Sequence, residues 1–223
     1  MILALDTTAE YGSIALLERQ SLVEEVLIHS TEGFGHVLYD HIARLLDRHR
    51  LRVQDIDCFA AASGPGSFTG VRIGLAAVQG LAEATQRCVV PVSNLQALAC
   101  FGSADLRATL IDARRGEIYG AVYDRDLRLH SPEVVMKFDD WTRTLPGAGI
   151  ELITSASFSA GMPTITAPLA LASAIGLIAE RRFTAGAALN PAEIDANYVR
   201  RSDAELLWRT PGDPTAPLSP RNK

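Results

Sequence analysis

Ser63-Gly-Pro-Gly-Ser-Phe-Thr-Gly-Val-Arg-Ile-Gly74 is the stretch on which the fold of this chain turns. Residues 56–62 before it read as a strand, and residues 71–84 after it form an apolar, small-residue segment. Gly64-Pro-Gly66 must turn the chain between them, which predicts a strand, loop and helix unit. At such a junction backbone N–H groups can cradle an anion, so Gly64, Gly66 and Ser67 are candidates for an anion-binding turn. A nucleotide-binding P-loop is excluded, because Gly70 is followed by Val71-Arg72 where that loop requires a lysine. The plainer alternative is that the glycines supply the dihedrals of a sharp turn and that Ser67 or Thr69 caps the helix.

The predicted helix carries Gly70, Gly74, Ala76, Ala77, Gly80 and Ala84, a small-residue surface. Each interior glycine costs roughly 0.8–1 kcal/mol against alanine, so a close approach of another backbone is expected. Periodicity alone leaves open whether that backbone lies in the core or across a subunit boundary. Arg72, one turn into the helix, must reach solvent or a carboxylate.

Outward from this unit, residues 2–5, 13–17 and 22–28 read as three short strands in a meander. Residues 35–50 place Val37, Leu38, Ile42, Leu45 and Leu46 at helical spacing between charges, the pattern of an amphipathic helix. Residues 89–92 read as a further strand, and 93–101 as a short helix capped by Ser93 or Asn94. A meander followed by βα units predicts a mixed sheet covered by helices. In the second half, residues 107–112 and 117–123 form a strand pair around Ala113-Arg-Arg-Gly116, residues 152–153 a short strand and 169–182 a helix. The expected division is an N-terminal lobe over 1–101, a C-terminal lobe over 102–210 and a proline-rich tail over 211–223, extended or disordered. No fixed-period repeat is visible.

Asp6-Thr7-Thr8 ends the first strand and has the shape of a phosphate-binding β-turn-β, although an ordinary Asx turn satisfies the same residues. Other chemistry finds little support. His36 and His41 are five residues apart and fall on different helical faces, and neither Ser63 nor Ser67 has an identifiable histidine partner, so no metal site and no catalytic residue are expected.

The bulk composition agrees with a globular fold. Of 223 residues, 48% are hydrophobic and 21% charged, enough apolar material for a core. The net charge of −5 disfavours autonomous nucleic-acid binding. Three cysteines, Cys58, Cys88 and Cys100, lie in or beside apolar runs, as buried reduced thiols do. The opening Met1-Ile-Leu-Ala-Leu-Asp6 lacks the basic region of a signal peptide, and no apolar stretch has the length of a membrane span. A cytoplasmic location and no membrane association are expected.

The run 62–74, together with Ile2-Leu-Ala-Leu-Asp-Thr-Thr8, resembles the TsaB (YeaZ) family. Val92-Ser-Asn-Leu-Gln-Ala-Leu98, Ile111-Asp-Ala-Arg-Arg-Gly-Glu-Ile-Tyr119 and Tyr198-Val-Arg-Arg-Ser-Asp-Ala204 extend the resemblance in the family's order. One departure is Ala196-Asn-Tyr-Val-Arg200, where the family has Pro-x-Tyr-Leu-Arg.

The resemblance implies an α/β fold of two actin/Hsp70-like (ribonuclease-H-like) lobes, mixed sheets flanked by helices, with the second lobe reduced. It implies a non-catalytic dimerisation and activation subunit of the complex that makes threonylcarbamoyladenosine beside the anticodon of ANN-decoding tRNAs. Implied partners are a catalytic TsaD-like paralogue, a TsaE-like ATPase and, when the chain is alone, a second copy; tRNA is met only through the complex. No cofactor of its own is expected, ATP and metal residing on partner subunits. The implied partner surface lies on the first-lobe helices, at His36, Tyr39, Asp40 and Ala43 on one, and at Thr69, Arg72, Ile73, Ala76, Ala77 and Gly80 on the other. The rival expectations are an autonomous nucleotide-binding enzyme of the sugar-kinase type and a glycoprotease-like peptidase acting on the TsaD partner.

Overall fold

Strand β1 (Ile2–Asp6) is buried at every position, since both of its faces are covered. Ile2 and Ala4 point into one core, Leu3 and Leu5 into another. The same alternation runs through β2 (Tyr11–Glu18) and β4 (Cys58–Gly64), where Ala15, Leu17, Cys58 and Ala60 join the first core and Ile14, Leu16, Phe59 and Ala61 the second. The computed structural model that shows this describes residues 1–147, 149–155, 163–197 and 199.

With β3 (Ser21–His29) and β5 (Cys88–Ser93), these strands form a five-stranded sheet of order β3-β2-β1-β4-β5. The pairs β1-β2 and β2-β3 are antiparallel; β1-β4 and β4-β5 are parallel. A second sheet repeats the plan. Strands β6 (Leu106–Arg114), β7 (Glu117–Asp124) and β8 (Leu129–Lys137) form its meander, and β9 (Ile150–Thr154) and β10 (Ile165–Thr166) add in parallel on the other side, in the order β10-β9-β6-β7-β8. This duplication left no fixed-period repeat in the sequence, because a shared topology needs only matching hydrophobic patterns.

Helices separate and cover the sheets. On the second-core side of the first sheet lie α1 (Leu38–Arg48) and α2 (Phe68–Thr85). On its other side α3 (Asn94–Ala99) and α5 (Ala172–Thr184) share a core with Ala121, Tyr123 and Ile153 of the second sheet. Among the described residues, the far face of the second sheet is covered by one helix, α4 (Phe138–Thr142), through Trp141, which gives the second lobe its reduced helical cover. Although α5 lies within residues 102–210, it packs chiefly on β1, β2, β4 and β5 of the first sheet, with further contacts to β3 and α3.

Several boundaries move from their sequence expectation. The helix expected over 35–50 begins as a single 3-10 turn, Phe34–His36, and α1 starts only at Leu38. The strand expected over 56–62 runs two residues further at its C-terminal end, to Gly64. Helix α5 begins at Ala172 rather than residue 169, where Leu171 and Ala172 amides are held by the Ser13 hydroxyl. Strand β8 and helix α4 were not anticipated at all: β8 is a half-exposed edge strand containing Pro132, a composition that lacks a strand signature. The tail 211–223 and most of the 198–204 motif lie outside the described residues.

Candidate functional site

The β1–β2 connection and the glycine-punctuated run are built into one another. Asp6 Oδ1 accepts from the Thr8 amide at 2.9 Å and from the Thr8 hydroxyl at 2.7 Å, an Asx turn reinforced by a side chain. The Thr8 hydroxyl accepts in turn from Asn94 Nδ2 at 2.7 Å, and Asn94 Oδ1 accepts the Gly64 amide at 3.1 Å. The Ser67 amide donates to Thr8 O at 2.7 Å, and the Thr7 hydroxyl donates to Gly70 O at 2.7 Å. Sequence reasoning named Asp6, Thr7, Thr8, Gly64, Gly66 and Ser67 as two possible anion-binding turns; the structure brings all six together. The amides of Gly64, Ser67 and Gly70 are bonded within the protein, the last to Ser67 Oγ at 3.3 Å.

Close approach explains the glycines. A Cβ at Gly66 would stand 2.7 Å from Thr8 Cβ, at Gly70 1.9 Å from Thr7 O, and at Gly74 2.6 Å from Thr7 Oγ1. The backbone whose approach the small residues permit is therefore this chain's own turn at residues 6–8. Ser67 is the N-cap of α2 through the Gly70 amide. At the next helix Ser93 is the N-cap, and Asn94, considered for that role from sequence, instead ties α3 to Gly64 and Thr8.

Asp6 is 2% exposed and faces no cation among its hydrogen-bond partners. Burial pushes its carboxyl above the ordinary carboxylate range; the Thr8 hydroxyl and amide and the Asn94 amide oppose the push, and Glu25 adds to it.

The outer surface of α1 and α2 is different in kind. Both helices cover the same face of the first sheet, so their outward residues share one side of the molecule. Tyr39 is 54% exposed and Phe68 48%, and the Arg72 guanidinium lies 3.8 Å from the centroid of the Phe68 ring. His36, Asp40, Ala43, Thr69, Ala76 and Gly80 are exposed beside them, and Ile73 is half-buried. Asp40 pairs with Arg44 at 2.8 Å along α1. Ala77 departs from the expected surface: it is 3% exposed and sits in the core beneath α2, so in the folded chain it presents nothing to a partner. The small residues of α2 thus form two rows, Gly70-Gly74 turned inward and Ala76-Gly80 turned outward.

Two of the histidines have partners away from the glycine run. His29 stacks on Tyr11 at 4.8 Å and His49 meets Glu24 at 2.6 Å, whereas the Ser67 hydroxyl is engaged in its capping bond. Among the described residues, no hydrogen bond joins Ser63 or Ser67 to a histidine. No helix among them is long and apolar enough to cross a membrane.

Residues that the sequence did not assign to this site complete the arrangement. Besides Asn94, Asn197 donates its amide N–H to Ser63 O at 2.7 Å and its side-chain Nδ2 to Glu133 at 2.5 Å, folding the segment after α5 back over the start of the glycine run. Asn197 stands within the Ala196-Asn-Tyr-Val-Arg200 stretch, so the motif resemblance was the one signal that pointed to it.

A family model described as TsaD, tRNA N6-adenosine threonylcarbamoyltransferase, matches residues 32–188. The tRNA threonylcarbamoyladenosine biosynthesis protein TsaB of Bacillus subtilis is 31% identical over 149 residues, 65% of this chain and 65% of that one. The TsaB protein of Haemophilus influenzae is 38% identical over 124 residues, 53% of this chain and 51% of that protein. The matched stretch thus spans about half to two thirds of these curated relatives. An uncharacterized protein of Mycobacterium tuberculosis is 29% identical over 92% of this chain and 94% of that one. Among solved structures, YeaZ from Pseudomonas aeruginosa superposes with a TM-score of 0.76 at 26% identity, covering 88% of this chain and 98% of that one. Component A of (R)-2-hydroxyglutaryl-CoA dehydratase from Acidaminococcus fermentans, at 9% identity and a TM-score of 0.52, shares the actin/Hsp70-like fold alone.

Proposed function

We propose, for a chain that belongs to the TsaB (YeaZ) family, a non-catalytic role in tRNA threonylcarbamoyladenosine biosynthesis: docking on and activating a TsaD-type transferase through the outer face of α1 and α2. The observation that carries this reading is that face itself. Two large aromatics, Tyr39 and Phe68, stand about half exposed beside the small outward residues Ala43, Ala76 and Gly80, so a flat helical partner can approach closely. Aromatic and arginine side chains around such a patch are the residue types that dominate binding energy, and Arg72 stacked on Phe68 supplies both.

On this reading, chemistry, metal and ATP belong to the partners, a TsaD-like paralogue and a TsaE-like ATPase, and the assembly works in the cytoplasm. The face is open to a second copy as well, so homodimer and heterodimer compete for it. The buried hydrogen bonds of Asp6, Thr8 and Asn94 then have a supporting role: they fix where α2 starts, and with it the pitch of the outer row.

Reconstitution tests the proposal. A TsaD-type transferase, a TsaE-type ATPase, threonylcarbamoyl-adenylate and tRNA are combined with and without this chain, and modified nucleoside is quantified by mass spectrometry. The expected result is yield that depends on the chain; equal yield without it overturns the role. Calorimetry of the isolated chain with ATP separates the sugar-kinase alternative, which requires binding with turnover.

A further inference from the structure

On the other side of the first sheet from α1 and α2, a cleft of about 550 Å³ opens between the end of α5, the start of α3 and the β7–β8 turn. Its apolar part is formed by Leu127 and Ile178, both buried, with the exposed Leu129 at its rim. Arg181 and Arg182, from the last turn of α5, line it as well, and Glu133 of β8 stands among the lining residues.

Of the charges that line the cleft, Asp126 and Arg128 of the β7–β8 turn pair with each other at 3.7 Å, and the rest are treated differently by sign. Glu133 is satisfied by the protein: the Ser93 hydroxyl, the Tyr123 hydroxyl at 2.6 Å and Asn197 Nδ2 at 2.5 Å all donate to it. The Tyr123 hydroxyl is driven well up by burial and by Glu133, so it stays a protonated donor. Arg182 has no such complement. Its Nη1 donates to Pro91 O and its Nη2 to Gln96 Oε1, each at 2.7 Å, both neutral acceptors, and those use two of its five N–H donors. Arg181 donates Nε to Gln20 Oε1 at 3.1 Å. Among the described residues neither arginine meets a carboxylate. Burial holds the Arg182 guanidinium below its ordinary pKa, the mark of a cation taken from water without a counter-charge. Complementing the negative end of α5 does not account for it, since the side chain reaches across to β5 and α3.

We propose that this cleft binds a small molecule with a terminal oxyanion on a short aliphatic body, its head on Arg182 and Arg181 and its body over Leu127 and Ile178. Planar guanidinium donors suit carboxylate and phosphate heads alike. Because α5 packs on the first sheet while Leu127 and Glu133 belong to the second, an occupant joins the two and adds its binding energy to the stability of the fold. The inference is independent of the partner face.

The full chain, labelled with ¹⁵N, is titrated separately with butyrate, inorganic phosphate and neutral butyramide at matched ionic strength. Saturable amide shifts at Gln96, Leu127 and Ile178, with a rise in Tm, are expected for at least one anion and not for butyramide. Saturation by butyrate alone identifies a carboxylate on an apolar body, by phosphate alone a phosphoryl head, and by both the oxyanion they share. Arg182→Gln should weaken binding about tenfold or more, the worth of a charge-assisted hydrogen bond. Should that variant unfold, Arg181→Gln, at an exposed position, decides with a smaller loss. No saturable shift with either anion, or affinity unchanged in the arginine variants, overturns the site.

Discussion

A methyl group at Gly70, on the inner face of α2, would lie 1.9 Å from the Thr7 carbonyl oxygen, whereas one at Gly80, on the outer face, would meet no atom within 4 Å. In sequence the two glycines are equivalent members of a small-residue surface. In the fold, one is required by the protein's own backbone and the other leaves room for something outside it. The comparison teaches that a glycine-rich helix records close approach without saying to what, and substitutions can separate the two meanings.

Gly70→Ala should have the largest effect. The obstructing atom is backbone, in a turn fixed by Asp6 and Thr8, so neither side can give, and a loss of about 3 kcal/mol or outright failure to fold is expected by urea unfolding. Gly74→Ala meets a side-chain oxygen, Thr7 Oγ1 at 2.6 Å, which can move at the expense of its bond to Gly70 O. About 1–2 kcal/mol is expected, reduced by the helix preference of alanine.

The turn these glycines serve has its own pH signature. Asp6 has a raised pKa in the folded state, so the folded protein holds the proton more tightly than the unfolded chain. Stability should therefore fall as pH rises from the unfolded value near 3.8 through the raised folded value, and stay lower above it. Other carboxylates, such as Glu24 beside Arg48 and His49, are depressed and pull the opposite way in acid, so the comparison must be with a variant. Asp6→Asn keeps an acceptor for Thr8, and unfolding free energies across that window should lack the Asp6 contribution; identical pH profiles would refute this account.

Gly80→Ala reverses the sign. With open space around the position and a helical backbone, alanine should stabilise the chain by about 0.8 kcal/mol, read as a higher urea midpoint.

Much of this architecture was legible. The meander, the βα units and the existence of α2, though not its start at Phe68, follow from alternation and 3.6-residue spacing, since nearly every position of β1, β2 and β4 is dictated by one of two cores. What failed was long-range. That α5 packs on the first sheet across more than a hundred residues, through Ser13 and Glu25 at its start, leaves no local pattern. The second sheet's repetition of the first escaped because β8 carries Pro132 and partly exposed residues, hiding the third strand of its meander. At the site, the residues 6–8 and 63–70 were recognised as unusual, but their mutual docking was not, because turn chemistry and anion binding ask for the same residue types. Ala77 was misplaced for a related reason: on α2 the inward and outward rows are both small, so apolarity could not tell them apart.

The smallest effect on stability is the sharpest test of the outer row. Ala76 is exposed in the middle of α2, one turn from both Arg72 and Gly80, so Ala76→Arg should change the unfolding free energy by no more than about 0.5 kcal/mol. The same change sets a bulky charge where close approach is proposed, and a charge desolvated against a partner helix weakens association by about 2 kcal/mol or more. Light scattering should show the unaltered chain as a homodimer and the variant as a monomer with an unchanged melting curve. Binding to a TsaD-type partner should weaken in parallel, because both pairings use one face. Ala77→Arg, one residue along, should instead unfold the protein, its side chain having only the core to enter. A monomeric wild-type chain across micromolar concentrations would remove the homodimer, and an Ala76→Arg variant that still binds the partner at full strength would return the outer row to solvent. Loss of both pairings in a stable variant would leave Gly70 and Gly80 as one helix's answers to two different neighbours.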